Sequence, residues 1–480
     1  MEHLARLESG IAGLDTVLKG GLVAGASYII QGRPGSGKTI FANQIAFHHA
    51  RNGGRVLFAT LLSESHERLF QFLSTMSFFD KERVGTEIQF VSAFDTLDTE
   101  GLDEVVRLLR REIGRQKASI LVVDGVLNAR SRAETGLDTK RFIAELQGHA
   151  AFAGCTVLFL TSARLDDSSP EHTMVDGVIE LGEEIFGSRS VRRLHLRKTR
   201  GSGAVSGLHE FEIGDHGVVV YPRLEAVLGG DCGEVGLDGP LVSTGIPDLD
   251  QVLEGGLPAA SASLVIGPSG SGKTSLGLSF LAQATPQEPG LLFGFYENEA
   301  RLKRKADAIG LDLRSKIESG AVQVLWQPTT ERLLDALGHR LLDAARTGGH
   351  RRVVIDSLGG IARASTNPSR HVEFFTAMMN TLRGSGTAVI TTWEIRDLFD
   401  ANAQAPAFEL SSLFDNLLLT QFVELNAQMR RILTVLKVRD SHHDPSQREL
   451  IIDSRGIRLA GPLRHTELGE AAAAGPDMGA

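Results

Sequence analysis

The sequence predicts an α/β fold in two tandem copies, each a mostly parallel sheet flanked by helices. Three observations lead there. A long segment repeats within the chain, short apolar runs alternate with helical patterns in both copies, and each copy carries a glycine-rich phosphate-binding loop.

The repeat sets the organisation. SGIAGLDTVLKGGL (Ser9 to Leu22) recurs as TGIPDLDQVLEGGL (Thr244 to Leu257). The spacing from Ser9 to Thr244 is kept without a gap from GRPGSGKT (Gly32 to Thr39) to GPSGSGKT (Gly267 to Thr274). Flanking Leu, Asp and Val positions match too, so coincidence between two glycine-rich loops is excluded and the chain reads as a duplication. The segment 224–240, LEAVLGGDCGEVGLDGP, is rich in Gly and Asp without a sustained period and reads as a linker. The expected domains are therefore 1–223 and 241–462, with 463–480 a low-complexity tail.

In the first copy the apolar runs are ASYIIQ, VLFATLL, SILVVD, TVLFLTS and DGVIEL, followed by the basic RRLHLRKTR. In the second they are SLVIG, LLFGFY, RVVID, AVITTW, NLLLTQFVEL and RILTVLKVR. Near-continuous apolar strands separated by helical patterns such as Ser65–Met76 and Glu299–Ile309 imply a sheet covered on both faces.

Composition narrows the function classes. With 480 residues, 42% hydrophobic and 23% charged, the chain can bury a core in each copy. Two cysteines, Cys155 and Cys232, cannot build a disulfide framework, and Cys155 in the run CTVLFL reads as core packing. No apolar stretch reaches the ~18 residues that span a bilayer, and MEHLARLESG has no secretory h-region. The expected location is the cytoplasm. A formal net charge of −9 argues against constitutive nucleic-acid binding. Glycine stands at 53 of 480 residues, above the usual ~7%, and concentrates in the repeated loops.

Those loops carry the chemistry. GxxxxGK[ST] lets backbone N–H groups approach phosphates at a helix N-terminus. Gly32, Gly35, Ser36 and Gly37 in the first copy, and Gly267, Gly270, Ser271 and Gly272 in the second, are the expected nucleotide cradle. Lys38 and Lys273 are expected to reach the β- and γ-phosphates of ATP. Thr39 and Thr274 would give a hydroxyl to Mg2+. An acidic residue ending a neighbouring buried strand should hold the metal's water shell, which singles out Asp124 after SILVV and Asp356 after RVVI. Hydrolysis also needs a carboxylate that orients water. Matching Arg68-Leu69 with Arg301-Leu302 sets Glu64 opposite Glu297 as those carboxylates. The alternative is that each merely complements a helix N-terminus.

Together these residues resemble the KaiC family of bacterial clock ATPases, within the RecA superfamily, in its tandem-domain form. The resemblance covers the doubled lead-in, both loops, both acidic strands and a Lys-x-Arg element in each half. That element is Lys198 and Arg200 in KTRGS, and Lys437 and Arg439 in KVRDSHHD. Taken alone, a Lys-x-Arg on a strand is a solvated face. The resemblance implies RecA-like domains in a homo-hexamer, with ATP between subunits and these four residues reaching a neighbour's γ-phosphate. It also implies a Ser/Thr autokinase in the second domain, with Ser411 and Ser412 at the acceptor pair, and regulatory protein partners. His442, His443 and Asp444 lack further ligands at suitable spacing for a metal site.

The sequence departs from the family where it usually has two consecutive glutamates. Here Ser63-Glu64 and Tyr296-Glu297 stand instead, and Gly125 follows Asp124 where Ser357 follows Asp356. The leading expectation is an ATPase with autokinase activity in clock-type or signalling regulation. A RecA-like DNA recombination or repair ATPase shares the nucleotide motifs, but no helix-hairpin-helix, zinc ribbon or aromatic-basic stripe accompanies them. A nucleotide-gated signalling scaffold with little turnover is the third reading, kept open by the missing glutamates.

Overall fold

A computed structural model describes residues 4–63, 66–125, 136–162, 170–228, 240–328, 332–395, 412–425, 427–439 and 442–463. The chain divides into two compact units, Met1–Val227 and Leu228–Ala480. Leu224–Leu228, at the start of the segment read as a linker, forms a short helix with Leu224 buried.

The first unit is built on nine strands: β1 Ser27–Gln31, β2 Val56–Thr60, β3 Ile88–Ser92, β4 Ile120–Asp124, β5 Thr156–Thr161, β6 Gly177–Phe186, β7 Arg189–Thr199, β8 Leu208–Gly214 and β9 Gly217–Tyr221. They are ordered β9-β8-β7-β6-β1-β5-β4-β2-β3 in one sheet. The six strands from β6 to β3 are parallel, and β7, β8 and β9 extend the edge antiparallel. The second unit repeats this with β10 Ala262–Gly267, β11 Gly290–Gly294, β12 Val322–Trp326, β13 Arg352–Asp356, β14 Ala388–Glu394, β15 Asn416–Leu425, β16 Gln428–Val438, β17 Arg448–Asp453 and β18 Gly456–Pro462. Its order is β18-β17-β16-β15-β10-β14-β13-β11-β12, again with six parallel strands and three antiparallel ones.

The central strands are apolar at nearly every position because both faces are covered. Tyr28 and Ile30 face one cluster with Val56 and Phe58, packed under helix α1 (Lys38–Arg51) through Phe41, Ile45 and Phe47. Ile29, Leu57 and Ala59 point the other way. There they meet Val105, Leu109 and Ile113 of α2 (Leu102–Gln116) and Phe142, Ile143 and Leu146 of α3 (Gly136–Phe152). Cys155 is fully buried in that second cluster, and burial pushes its thiol up to about 12, which suits core packing and not reactivity. In the second unit α4 (Lys273–Ala282) takes the place of α1, with Leu276, Leu278, Phe280 and Leu281 in the core.

The doubled lead-in has a structural explanation. Asp15 accepts from the Ser9 N–H at 3.1 Å, and Asp250 accepts from the Thr244 N–H at 2.7 Å and its hydroxyl at 2.6 Å. These bonds close the turn that delivers the chain to the first parallel strand of each unit.

Candidate nucleotide sites and their neighbours

In each unit the phosphate loop joins the central parallel strand to the helix beneath it. Gly37 and Gly272 cap those helices at φ 96° and 104°, in the left-handed region where a side chain would be strained. The loop is tight on its protein side. A Cβ on Gly32 would sit 2.3 Å from the Leu181 carbonyl, and one on Gly267 would sit 2.1 Å from Thr420 Oγ1. It is open where phosphates would lie, since a Cβ on Gly35 would meet no atom within 4 Å. The Ser36 hydroxyl, in a residue 3% exposed, has no partner in the fold. An open concave face of N–H groups with an unpaired buried hydroxyl fits an oxyanion ligand. Replacing Gly267 by alanine is expected to cost about 1–3 kcal/mol through overpacking, read as a lower thermal midpoint, and to weaken nucleotide binding.

The loop lysines lie within this cradle. Lys38 Nζ donates to the carbonyls of Gly32 at 2.8 Å and Arg33 at 3.0 Å. Lys273 Nζ donates to those of Gly267 at 2.8 Å and Pro268 at 2.7 Å. Burial lowers the pKa of both. Asp124 opposes the shift at Lys38, and Glu394 and Asp356 oppose it at Lys273. The next residue meets the acidic strand end: Thr39 Oγ1 donates to Asp124 at 3.2 Å, and Thr274 Oγ1 to Asp356 at 2.7 Å. In the second unit Thr392 also donates to Asp356, at 2.5 Å. The structure thus brings loop lysine, threonine and aspartate together twice, at the C-terminal ends of parallel strands where open α/β sheets bind ligands.

Of the two expected carboxylates, Glu297 lies among the described residues. Glu297 pairs with Lys305 at 2.6 Å through Oε1, while its buried Oε2 has no partner. Glu64 lies outside the described residues. Strand register supplies a match independent of the helix landmarks. Thr60 pairs with Asp124 as Gly294 pairs with Asp356, and the next N–H bonds back to that aspartate's carbonyl in both units. Three residues beyond this common level stand Ser63 and Glu297, so a count from the strand sets a serine opposite Glu297. The helix landmarks gave Glu64 because the connection to the following helix is longer in the first unit. There the helix begins at His66, and in the second at Glu299.

The Lys-x-Arg elements share one construction. Lys198 Nζ donates to the carbonyls of His172 and Val175 at 2.7 and 2.6 Å, and Arg200 to that of Thr173 at 3.3 Å. Lys437 Nζ donates to Phe414 at 2.7 Å, and Arg439 to Ser412 at 3.2 Å. Burial lowers both lysines, with the neighbouring arginine adding to it. Ser411 lies outside the described residues; Ser412 is exposed beside Arg439. Asp444 accepts from Arg448 at 2.7 Å and from the Ser446 N–H at 2.9 Å. Ser446 and Arg448 draw its pKa down to about 2. It braces a turn, and among the described residues no group of three or more His, Cys, Asp or Glu could hold a metal ion.

Sequence reasoning missed three features. Asp176 accepts from the Ser27 N–H at 3.0 Å and Asp415 from the Ala262 N–H at 2.9 Å, so each pins the start of the strand that feeds its phosphate loop. Asp415 also pairs with Arg383 at 2.9 Å and Arg439 at 3.1 Å. The legible signal was the Asp that opens DGVIEL and DNLLL, one in each copy. A β-bulge precedes each Lys-x-Arg. Val178 opposes Lys198 and Ile179 opposes Leu196, while Leu417 opposes Lys437 and Leu418 opposes Val435. Bulges re-aim side chains beside sites and have no reliable local signature. The third is Glu394, level with Gly267 on the neighbouring strand.

Two mostly parallel sheets, each with a strand–loop–helix phosphate cradle and a Thr–Asp pair beside it, define a tandem P-loop ATPase of RecA-like fold. The chain belongs to the KaiC ATPase family: the family model described as "ATPase: KaiC" matches residues 7–225 and again 242–463. It is similar to the circadian clock oscillator protein KaiC of Parasynechococcus marenigrum (strain WH8102), 27% identical over 95% of this chain and 90% of that protein. The protein of the same name from Prochlorococcus marinus (strain MIT 9313) is 27% identical over 95% of this chain and 93% of its own length. Among the described residues no helix is long and apolar enough to cross a membrane.

Proposed function

We propose that both loops bind ATP with Mg2+, that the chain hydrolyses ATP, and that it acts in clock-type or signalling regulation in the cytoplasm. The observation that carries this is the doubled convergence of Lys, Thr and Asp on an open glycine cradle. Thr39 with Asp124, and Thr274 with Asp356, would hold the metal directly or through its waters. Mg2+ supplies charge neutralisation on the phosphate oxygens. The lysines bind and orient the phosphates. Glu297, half-buried and paired with Lys305 through Oε1, is the carboxylate that would accept a proton from water.

Family membership supports two further parts of the reading: a homo-hexamer with ATP at subunit interfaces, and autophosphorylation at Ser411 or Ser412. Lys198, Arg200, Lys437 and Arg439 would then serve a neighbour's nucleotide, a role for which a guanidinium is well shaped. Incubation with Mg-ATP, followed by ADP assay and phosphosite mapping, tests both parts. ADP release with phosphate on Ser411 or Ser412, absent in Lys273→Ala, is the expected result. ADP release without phosphate removes the kinase, and no ADP release removes the ATPase.

A further inference from the structure

The register of the two sheets allows the nucleotide sites to be compared position by position, and they differ where turnover is decided. Three residues beyond the pair Thr60–Asp124 is Ser63; three beyond Gly294–Asp356 is Glu297. On the strand beside the phosphate loop, Ile266 pairs with Trp393 and Gln31 with Thr161, so Glu394 in the second unit corresponds to Ser162 in the first. Two residues earlier, Thr392, which donates to Asp356, corresponds to Leu160. The carboxylates at these two positions of the second unit, Glu297 and Glu394, are thus matched by Ser63 and Ser162 in the first. A serine hydroxyl cannot take a proton from water near neutral pH, whereas a carboxylate can. The first loop gains a cation instead: Arg33, exposed and with no hydrogen bond or ion pair to its guanidinium among the described residues, stands where the second has Pro268. A guanidinium there adds attraction for phosphate without supplying a base.

We propose that the two sites divide the work: the β10 site turns ATP over, and the β1 site retains ATP without hydrolysing it. This rests on the reading of the chain as an ATPase. In the second site the oxygen of water bonds to the γ-phosphorus as the bond from that phosphorus to the β–γ bridging oxygen breaks. Glu297 takes the water proton, and ADP and inorganic phosphate leave. Glu394 is a positioning residue, acting through the charge it places near Lys273. In the first site the same water meets Ser63 and Ser162, and ATP stays intact.

The test uses the full chain with Mg-ATP, reading ADP release and the nucleotide that stays bound after desalting. Glu297→Gln, a shape-conserving change, is expected to lower ADP release by roughly 100-fold or more while bound ATP persists. The unmodified chain is expected to emerge from desalting carrying ATP. ADP release that survives Glu297→Gln and disappears only when Glu64→Gln is added overturns the division of work. So does recovery of ADP alone as the retained nucleotide. No ADP release from the unmodified chain overturns the ATPase reading itself, a separate outcome from these.

Discussion

Lys273→Ala is expected to lower ATP turnover by on the order of 1,000-fold, the upper range for losing a preorganised charge at a developing anion. Lys273 is only 8% exposed, and its ammonium is already held across the cradle by the carbonyls of Gly267 and Pro268. Phosphate oxygens would replace those carbonyls as partners, so the reorganisation needed is small. Burial makes the charge costly to hold, and Glu394 and Asp356 offset that cost. Alanine removes the charge and leaves the two carboxylates facing the phosphates, so binding as well as turnover should suffer. Steady-state ADP release, with binding of a fluorescent ATP analogue, checks this. Turnover within tenfold of the unmodified chain would contradict the assignment.

Asp415→Ala is expected to destabilise the second unit by roughly 3 kcal/mol, the lower end of the range for breaking a buried ion pair. Its carboxylate is 14% exposed and Arg383 is 16% exposed, so little solvent would replace the lost partner. The Ala262 N–H, in a fully buried residue, would be orphaned as well. Arg439 is nearly half exposed and contributes less. For a unit of this size the change corresponds to a fall of about 6–12 °C in thermal midpoint, measurable by calorimetry. The loss should also reach function, because Asp415 fixes the strand that feeds the phosphate loop and steadies the Arg439 guanidinium.

Much of the fold was legible because its strands are buried on both faces. Runs such as SILVVD and RVVID have no other home in a soluble chain, and the phosphate loops announce their own strand–turn–helix setting. The antiparallel edge was read only in part. LHEFEIG, RELIID and GIRLAGP mix polar and apolar residues, GVVVY is a short run after a turn, and none stood out as a strand. Asp124 and Asp356 were legible because they close apolar runs. Asp176 and Asp415 were harder, since their partners are backbone groups well over a hundred residues away in the chain. Glu64 lies outside the described residues; the helix landmark and the strand landmark differ by one residue because the Arg-Leu pair is repeated while the connection before it is not of equal length. A count from the last strand pair, a property of the folded sheet, sets Ser63 opposite Glu297 instead.

The central claim is that this chain holds two separate ATP sites, and counting them tests it most directly. Isothermal titration of the full chain with a non-hydrolysable ATP analogue and Mg2+ should give two molecules bound per chain, falling to one in Lys273→Ala. No binding, or a count unchanged by Lys273→Ala, would contradict the account.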